Sequence, residues 1–203
     1  SEPLVAAAYG RQLPRKDAQP LGAHARLFNY GSKSGFRSLN SIPELGFKTC
    51  FISNSFAAYR VSDLLAVGGF PSDVILGEDT CVAAKLILAG KKVAYVADAC
   101  VYHSHDYTML EEFRRYFDTG VLHAQQPWLL QSFGGATGEG KRFVISELKY
   151  LARHAPYLIP SAMIRTVLKL LGYRLGRIYT DLPLSWRIRL SMHKAYWQRK
   201  PQS

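Results

Sequence analysis

Residues 77–103 read GEDTCVAAKLILAGKKVAYVADACVYH, and the order of patterns inside this stretch decides the fold class. Ala83, Ala84, Leu86, Ile87 and Leu88 make a packed apolar helix. Gly90 stops it, and Lys91 and Lys92 lie at the negative end of its dipole. KVAYVADACVYH then reads as strand, turn and strand. A helix running into a strand through a glycine stop is an α/β pattern.

At the front of the helix stand Glu78 and Asp79, directly after Gly77. Two readings are open. Capping needs a single acid or hydroxyl, and Thr80 supplies one. Catalysis is the other: a carboxylate at a helix mouth gains from free N–H groups and the dipole, and tends to stay ionised, which suits a base.

Working outward, Val5–Tyr9 reads as a strand followed by the polar loop GRQLPRKDAQP, and Leu21–Tyr30 as a helix. GSKSG at 31–35 has the composition of a mobile surface loop. TCFISNSFAAYR carries strand propensity, with Phe51, Ile52 and Phe56 for burial. VSDLLAVGGF reads as a short helix capped by Ser62 or Asp63 and closed by two glycines. Leu110–Leu122 is helical, and QQPWLLQSFGGATGEG reads as an irregular connection.

With 203 residues, 48% of them hydrophobic, the chain is long enough to bury a core. Cys50, Cys81 and Cys100 form no CxxC pair and read as buried free thiols of a reducing compartment. The chain opens on Ser1 and EPLVAAAYG, as though inside a fold, so an excised or processed piece is expected. The net charge of +11 is confined to the end: residues 1–140 hold 13 basic and 13 acidic side chains, residues 141–203 hold 13 and 2. Such asymmetry points to an anionic partner surface, lipid or nucleic acid. In this tail Ile164, Val167, Leu168, Leu171, Leu175 and Ile178 fall on one helical stripe, with Arg165, Lys169, Arg174 and Arg177 outside it. The longest uncharged run, Ala155–Ile164, is too short to span a bilayer.

Two further clusters bear chemistry. His103 and His105, at i and i+2 after a strand, share a face if the strand continues, and imidazole is a metal ligand or an acid–base group. Ordinary surface or core histidines are the alternative. Asn54 and Ser55 suit a sugar or phosphate and Arg60 an anion, against plain loop chemistry.

Taken in order, SNSFAAYR, LLAVGGF, GED opening a helix and AGKKVAYVADACVYHSH resemble the C-terminal half of the catalytic domain of family 2 inverting glycosyltransferases, over residues 5–107. AAYGRQLPRKDAQP, HARLFNY and YFDTGVLHA are similar to the bacterial rhamnosyltransferase branch. The resemblance implies an α/β, glycosyltransferase A-type fold (residues 1–125, the acceptor-side half) with a basic, mainly helical extension over 126–203. It implies Asp79 as general base with Glu78 assisting, and His103, with His105 as runner-up, at the metal or the diphosphate. Arg11 and Gln12 would lie near the donor or acceptor, alongside Asn54 and Arg60. The implied cofactors are a divalent cation, Mg2+ or Mn2+, and a nucleotide-diphospho-sugar donor, dTDP-rhamnose. The implied acceptor is a glycan or lipid-linked hydroxyl. The implied place is cytoplasmic, peripheral on the inner face of the plasma membrane, held to anionic lipid through residues 141–203. No Asp-x-Asp occurs in the chain, although the family carries one with its nucleotide-binding β/α half. That half is therefore expected to be missing, and the isolated chain to have little or no activity.

A different class of reading is a basic module for nucleic acid or another anionic surface, with Tyr173, Tyr179, Trp186, Tyr196 and Trp197 interleaved among cations. The charge-neutral first two thirds weigh against it, and no nucleic acid is expected as partner. A metal-dependent hydrolase built on the His pair lacks further ligands at known spacing.

Overall fold

The computed structural model describes residues 2–135 and 138–199. Ala136 and Thr137 of the glycine-rich connection, and the end of the basic tail from Lys200, lie outside the described residues.

Four strands form one mixed sheet in the order β2-β4-β1-β3. They are β1 (Val5–Leu13), β2 (Gly35–Arg37), β3 (Ala57–Tyr59) and β4 (Lys92–Tyr102). β1 and β4 run parallel at the centre, and the two short strands flank them antiparallel. Parallel strands need cover on both faces, which is why β1 and β4 are rich in small and apolar residues. Tyr9 stacks beside Tyr95 across the central pair, with ring centroids 5.0 Å apart.

Several readings of the sequence change here. β4 is one continuous strand, not two. The expected turn is a register shift instead: Gly10 pairs with Val96 and Arg11 with Cys100. Gly10 is required there, because a Cβ would sit 2.4 Å from the Phe56 ring and 2.5 Å from the Ala99 carbonyl. TCFISNSFAAYR holds 3-10 turns, the end of Gly46–Cys50 and Asn54–Phe56, and only Ala57–Tyr59 near its end is strand. GSKSG is anchored: Ser34 Oγ accepts from the Ala97 N–H and the Gly31 carbonyl from the Tyr95 hydroxyl, and Gly35 begins β2. Phe56 and Leu88 are exposed rather than buried. Cys50 and Cys81 are buried free thiols, but Cys100 is exposed.

Ten helices surround the sheet among the described residues: α1 (Pro20–Asn29), α2 (Ile42–Leu45), α3 (Val61–Ala66), α4 (Glu78–Leu88), α5 (Met109–Gln125), α6 (Pro127–Phe133), α7 (Glu139–His154), α8 (Ile159–Arg177), α9 (Leu184–Leu190) and α10 (Lys194–Arg199). α3 starts after Arg60 with no side-chain cap, so neither Ser62 nor Asp63 plays that part. α6 replaces much of the expected irregular connection. α4 drives Cys81, Val82, Ala83, Ala84, Leu86 and Ile87 into the main core. Each large aliphatic side chain so buried contributes about 1.5–3 kcal/mol.

α5, the last element before residue 126, lies along α8. The contact is backbone to backbone. A Cβ on Gly120 would meet the Tyr173 carbonyl at 2.3 Å, one on Gly172 the Phe113 carbonyl at 2.4 Å, and one on Gly176 the Phe117 carbonyl at 2.0 Å. The tail closes back on the same core. Trp197 is buried in it, and Asp118 on α5 accepts from the Met192 and His193 N–H groups and pairs with His193 Nδ1. Part of the apolar stripe of this tail faces outward, with Ile164, Val167, Leu171 and Ile178 46–55% exposed, whereas Leu168 and Leu175 are half-buried and Leu175 packs against the main core. No helix among the described residues is long and apolar enough to cross a membrane.

Candidate active site

Gly77 precedes α4 with φ of 76°, in the left-handed region that glycine tolerates. A side chain there would also strike Leu122 of α5 at 2.8 Å. This turn puts Glu78 and Asp79 at the first two helical positions. Thr80, expected as the cap, sits inside the first turn. Its N–H donates to Asp79 Oδ1 at 2.7 Å, and its hydroxyl lies 3.4 Å from the same oxygen. The other oxygen, Oδ2, accepts from the Asn54 N–H at 3.1 Å. Asn54 is itself held by its side chain, which accepts from the Tyr59 hydroxyl at 2.7 Å.

The carboxyl of Asp79 titrates above the ordinary aspartate value. Burial is the main cause, the N–H groups of Asn54 and Thr80 oppose it, and Glu78 adds to it. The helix mouth alone would have kept it low, so desolvation is the stronger effect here. A raised carboxyl is a stronger base once deprotonated.

Asp79 and Glu78 lie on the wall of a cavity of about 940 Å³. Its lining brings together parts of the chain far apart in sequence: Arg26 from α1, Asn54 and Ser55, His105, Glu112 and Arg115 from α5, Glu147 from α7, and Arg165 and Lys169 from α8. The C-terminal helices are thus one wall of the same cleft as the carboxylates.

The remaining sequence-derived residues sort by position. His103 and His105 come together just beyond β4, with ring centroids 4.6 Å apart. His105 lines the cavity, and His103 approaches it through Ser55 Oγ at 3.5 Å. Burial first, and then Arg26, holds His103 below the usual imidazole value. Gln12 is buried, beneath the cleft rather than on its wall. Its amide donates to Ser53 Oγ at 2.9 Å, and its carbonyl accepts from Arg26 at 2.5 Å. Arg11 does not line the cavity; its Nε donates to the Tyr30 carbonyl at 3.3 Å. Arg60 does not line it either: the Val5 carbonyl and Asp63 take its guanidinium.

Two imidazoles without a carboxylate between them do not by themselves fit Mg2+, which prefers oxygen donors in octahedral order. Among the described residues no group of three or more His, Cys, Asp or Glu side chains is placed to hold a metal.

The sequence reading missed Arg26, Arg115 and Tyr59. HARLFNY puts Arg26 on a helix, but only the tertiary fold shows that this face looks onto the cleft. Tyr59 stands five residues after Asn54, a spacing that became meaningful once the intervening segment proved to be a turn.

Comparison with known proteins identifies the family. The family description "Glycosyl transferase family group 2" matches residues 25–175. An O-antigen chain rhamnosyltransferase of Salmonella typhimurium, RfbN, is 57% identical over 197 residues, 97% of this chain and 63% of the relative. The O-antigen chain rhamnosyltransferase WbaN of Salmonella anatum is 56% identical over 193 residues, 95% of this chain and 61% of the relative. The chain thus spans about three fifths of the curated relatives it matches. No solved structure matches.

Proposed function

The chain belongs to glycosyl transferase family group 2, and on that footing we propose that it carries the acceptor side of a rhamnosyltransferase site with Asp79 as general base. Members of this family use nucleotide-sugar donors, usually with a divalent cation. The finer reading takes dTDP-rhamnose as donor and a hydroxyl of a growing O-antigen glycan, lipid-linked, as acceptor. Residues 1–125 and 126–203 both contribute to the lining of the cleft.

The observation that carries this reading is the position of Asp79. It is half-buried at a helix mouth, raised in pKa, fixed through both oxygens, and open to a cleft that reaches His105. Asp79 takes the proton of the acceptor hydroxyl. The freed oxygen pair attacks the anomeric carbon from the face opposite the leaving group. The bond from that carbon to the diphosphate oxygen breaks, its electron pair leaves with the nucleoside diphosphate, and the configuration inverts. Glu78 orients the acceptor, and His103 and His105 hydrogen-bond to the departing diphosphate. Because the imidazole pair does not fit a hard cation alone, no step is routed through a metal.

The exposed apolar row of α8, with Lys149, Arg153, Arg174 and Arg189 also exposed, supports contact with an anionic membrane at the inner face of the plasma membrane. A nucleic-acid role is the weaker reading: Arg165, Arg177 and Arg187 are each bonded to a backbone carbonyl.

The test is rhamnosyl transfer by the protein that carries this sequence. Asp79→Asn is expected to lower kcat by about 10²–10⁴ with donor binding intact; transfer at the unsubstituted rate sinks the assignment.

A further inference from the structure

On the part of the cleft wall built by α7 and α8, one acid is left with nothing to hold it. Glu147 is 3% exposed and lines the cavity, yet no hydrogen bond or ion pair reaches it among the described residues. Burial holds its carboxyl above the ordinary glutamate value; Lys169 opposes this and Glu112 adds to it. Lys169 is equally unengaged. Its Nζ makes no hydrogen bond or ion pair among the described residues, and lies 5.1 Å from the Phe143 ring centroid and 5.9 Å from that of Tyr116. Buried polar groups in folded proteins are paired, so an acid left open on a cavity wall marks a place for a ligand.

The chemistry of this wall selects the ligand. Glu112, Glu147, Arg165 and Lys169 all line it, and their formal charges cancel, which gives it no net pull on a phosphate or a cation. Arg165 is already engaged, by Glu112 at 3.2 Å and by the Tyr107 carbonyl at 2.8 Å. What remains is an acceptor-only carboxylate and a donor-only ammonium that do not close on each other. A hydroxyl, which both donates and accepts, fits between them. The rings of Phe143 and Tyr116 stand beside the pair and offer apolar surface to the C–H face of a sugar ring. At about 940 Å³ the cavity is near the top of the range for small-molecule sites, about 300–1,000 Å³, and has room for more than one such ring.

We infer that Glu147 and Lys169, with Phe143 and Tyr116 beside them, form a subsite for a neutral sugar ring other than the one that receives the new residue at Asp79. A hydroxyl of that ring donates to the Glu147 carboxylate and accepts from the Lys169 ammonium. Phe143, Glu147 and Lys169 come from residues 126–203, so the subsite gives the helical extension a part in choosing the substrate. Assigning the ring to the acceptor glycan rests on the proposed function; the sugar site stands on the geometry alone.

Saturation-transfer NMR titrations with the methyl glycosides of galactose, mannose, glucose and rhamnose test the site on the protein that carries this sequence. At least one is expected to bind. Glu147→Gln is expected to weaken it by about tenfold or more, and Lys169→Gln by about threefold or more, as for a lost hydrogen bond to a charged group. Lys141→Gln, an exposed cation of α7 outside the cleft lining, is the control for net charge. Thermal melts confirm folding, and if Glu147→Gln does not fold, the half-buried Lys169 carries the test. The site is overturned if none of the four glycosides binds, if the folded variants bind undiminished, if Lys141→Gln is as damaging, or if inorganic phosphate displaces the glycoside. In transfer assays with an oligosaccharide acceptor, Lys169→Gln is expected to raise the acceptor KM and leave the donor KM in place; a rise in the donor KM alone overturns the assignment to the acceptor. Asp79→Asn leaves glycoside binding unchanged, so a failed transfer assay and a failed sugar site are told apart.

Discussion

The Asn54 backbone N–H donates to Asp79 Oδ2 at 3.1 Å, so the loop before β3 holds the carboxylate at the head of α4. That loop is steadied in turn by the Tyr59 hydroxyl on the Asn54 side chain. Tyr59→Phe removes this brace and nothing that touches substrate. One such hydrogen bond is worth about 0.5–1.5 kcal/mol. A fall in kcat of up to about tenfold is expected, with the donor KM unmoved; a loss confined to KM would show that the brace does not act through Asp79.

The acid limb of the pH–rate profile follows from the same carboxyl. Burial raises the Asp79 pKa, and only the ionised form takes a proton. Activity should therefore rise with pH through a midpoint above the ordinary aspartate value. Steady-state rates between pH 4 and 8 check this, and a midpoint at or below the ordinary value would contradict the burial described.

Stability should depend on pH through two buried histidines. Burial, with Lys169 near His24 and Arg177 near His123, lowers both to about 4. In the unfolded chain they titrate near 6.5, so between those values only the unfolded state takes the proton. Stability is full above about pH 6.5 and falls as pH drops toward 4, by roughly 3 kcal/mol per histidine. His123→Asn keeps a hydrogen-bonding group for the Tyr173 hydroxyl and removes the titration. Urea melts across this range should show a shallower pH slope for that variant.

The contact of α5 with α8 predicts a stability effect from a single methyl group. Gly176→Ala places a Cβ 2.0 Å from the Phe117 carbonyl oxygen, so the helices must separate. Overpacking of this kind costs about 1–3 kcal/mol. Gly140→Ala, which meets nothing within 4 Å, is the matched control. Denaturant midpoints that fall equally for both variants would refute the close contact.

The outer face of α8 is tested on vesicles. Ile164→Gln with Val167→Gln and Leu171→Gln changes only side chains about half exposed, so folding should survive. Co-sedimentation with vesicles rich in phosphatidylglycerol is expected to fall severalfold and to weaken with salt. Unchanged binding would exclude this face as the contact.

Much of this architecture was legible in the chain. The α4 segment was plain because an acidic start, an apolar period and a glycine stop agreed. α1 and α5 fell within a few residues of their expected bounds. The segment around Asn54 misled: its aromatic and β-branched residues favour a strand, yet the chain must turn there to offer an N–H to Asp79. β4 misled in the other direction, since Ala97–Ala99 resembles a turn and is absorbed by a register shift against Gly10. In the tail the hydrophobic stripe was visible but its direction was not. Periodicity marks an apolar face without saying what it meets, and Gly172 and Gly176 look like helix breakers until Gly120 lies opposite. Asp79 was found from its local setting, whereas Arg26 and Arg115 are seen to share a cavity with it only once α1 and α5 are placed.

That glycine seam has a mechanical consequence. With no side-chain layer between them, α5 and α8 behave as a single stiff plate. Glu112 and Arg115 ride on one side of it and Ile164 and Val167 on the other. A displacement of α8 that keeps this contact must carry α5 with it, and with α5 the Glu112 and Arg115 edge of the cavity.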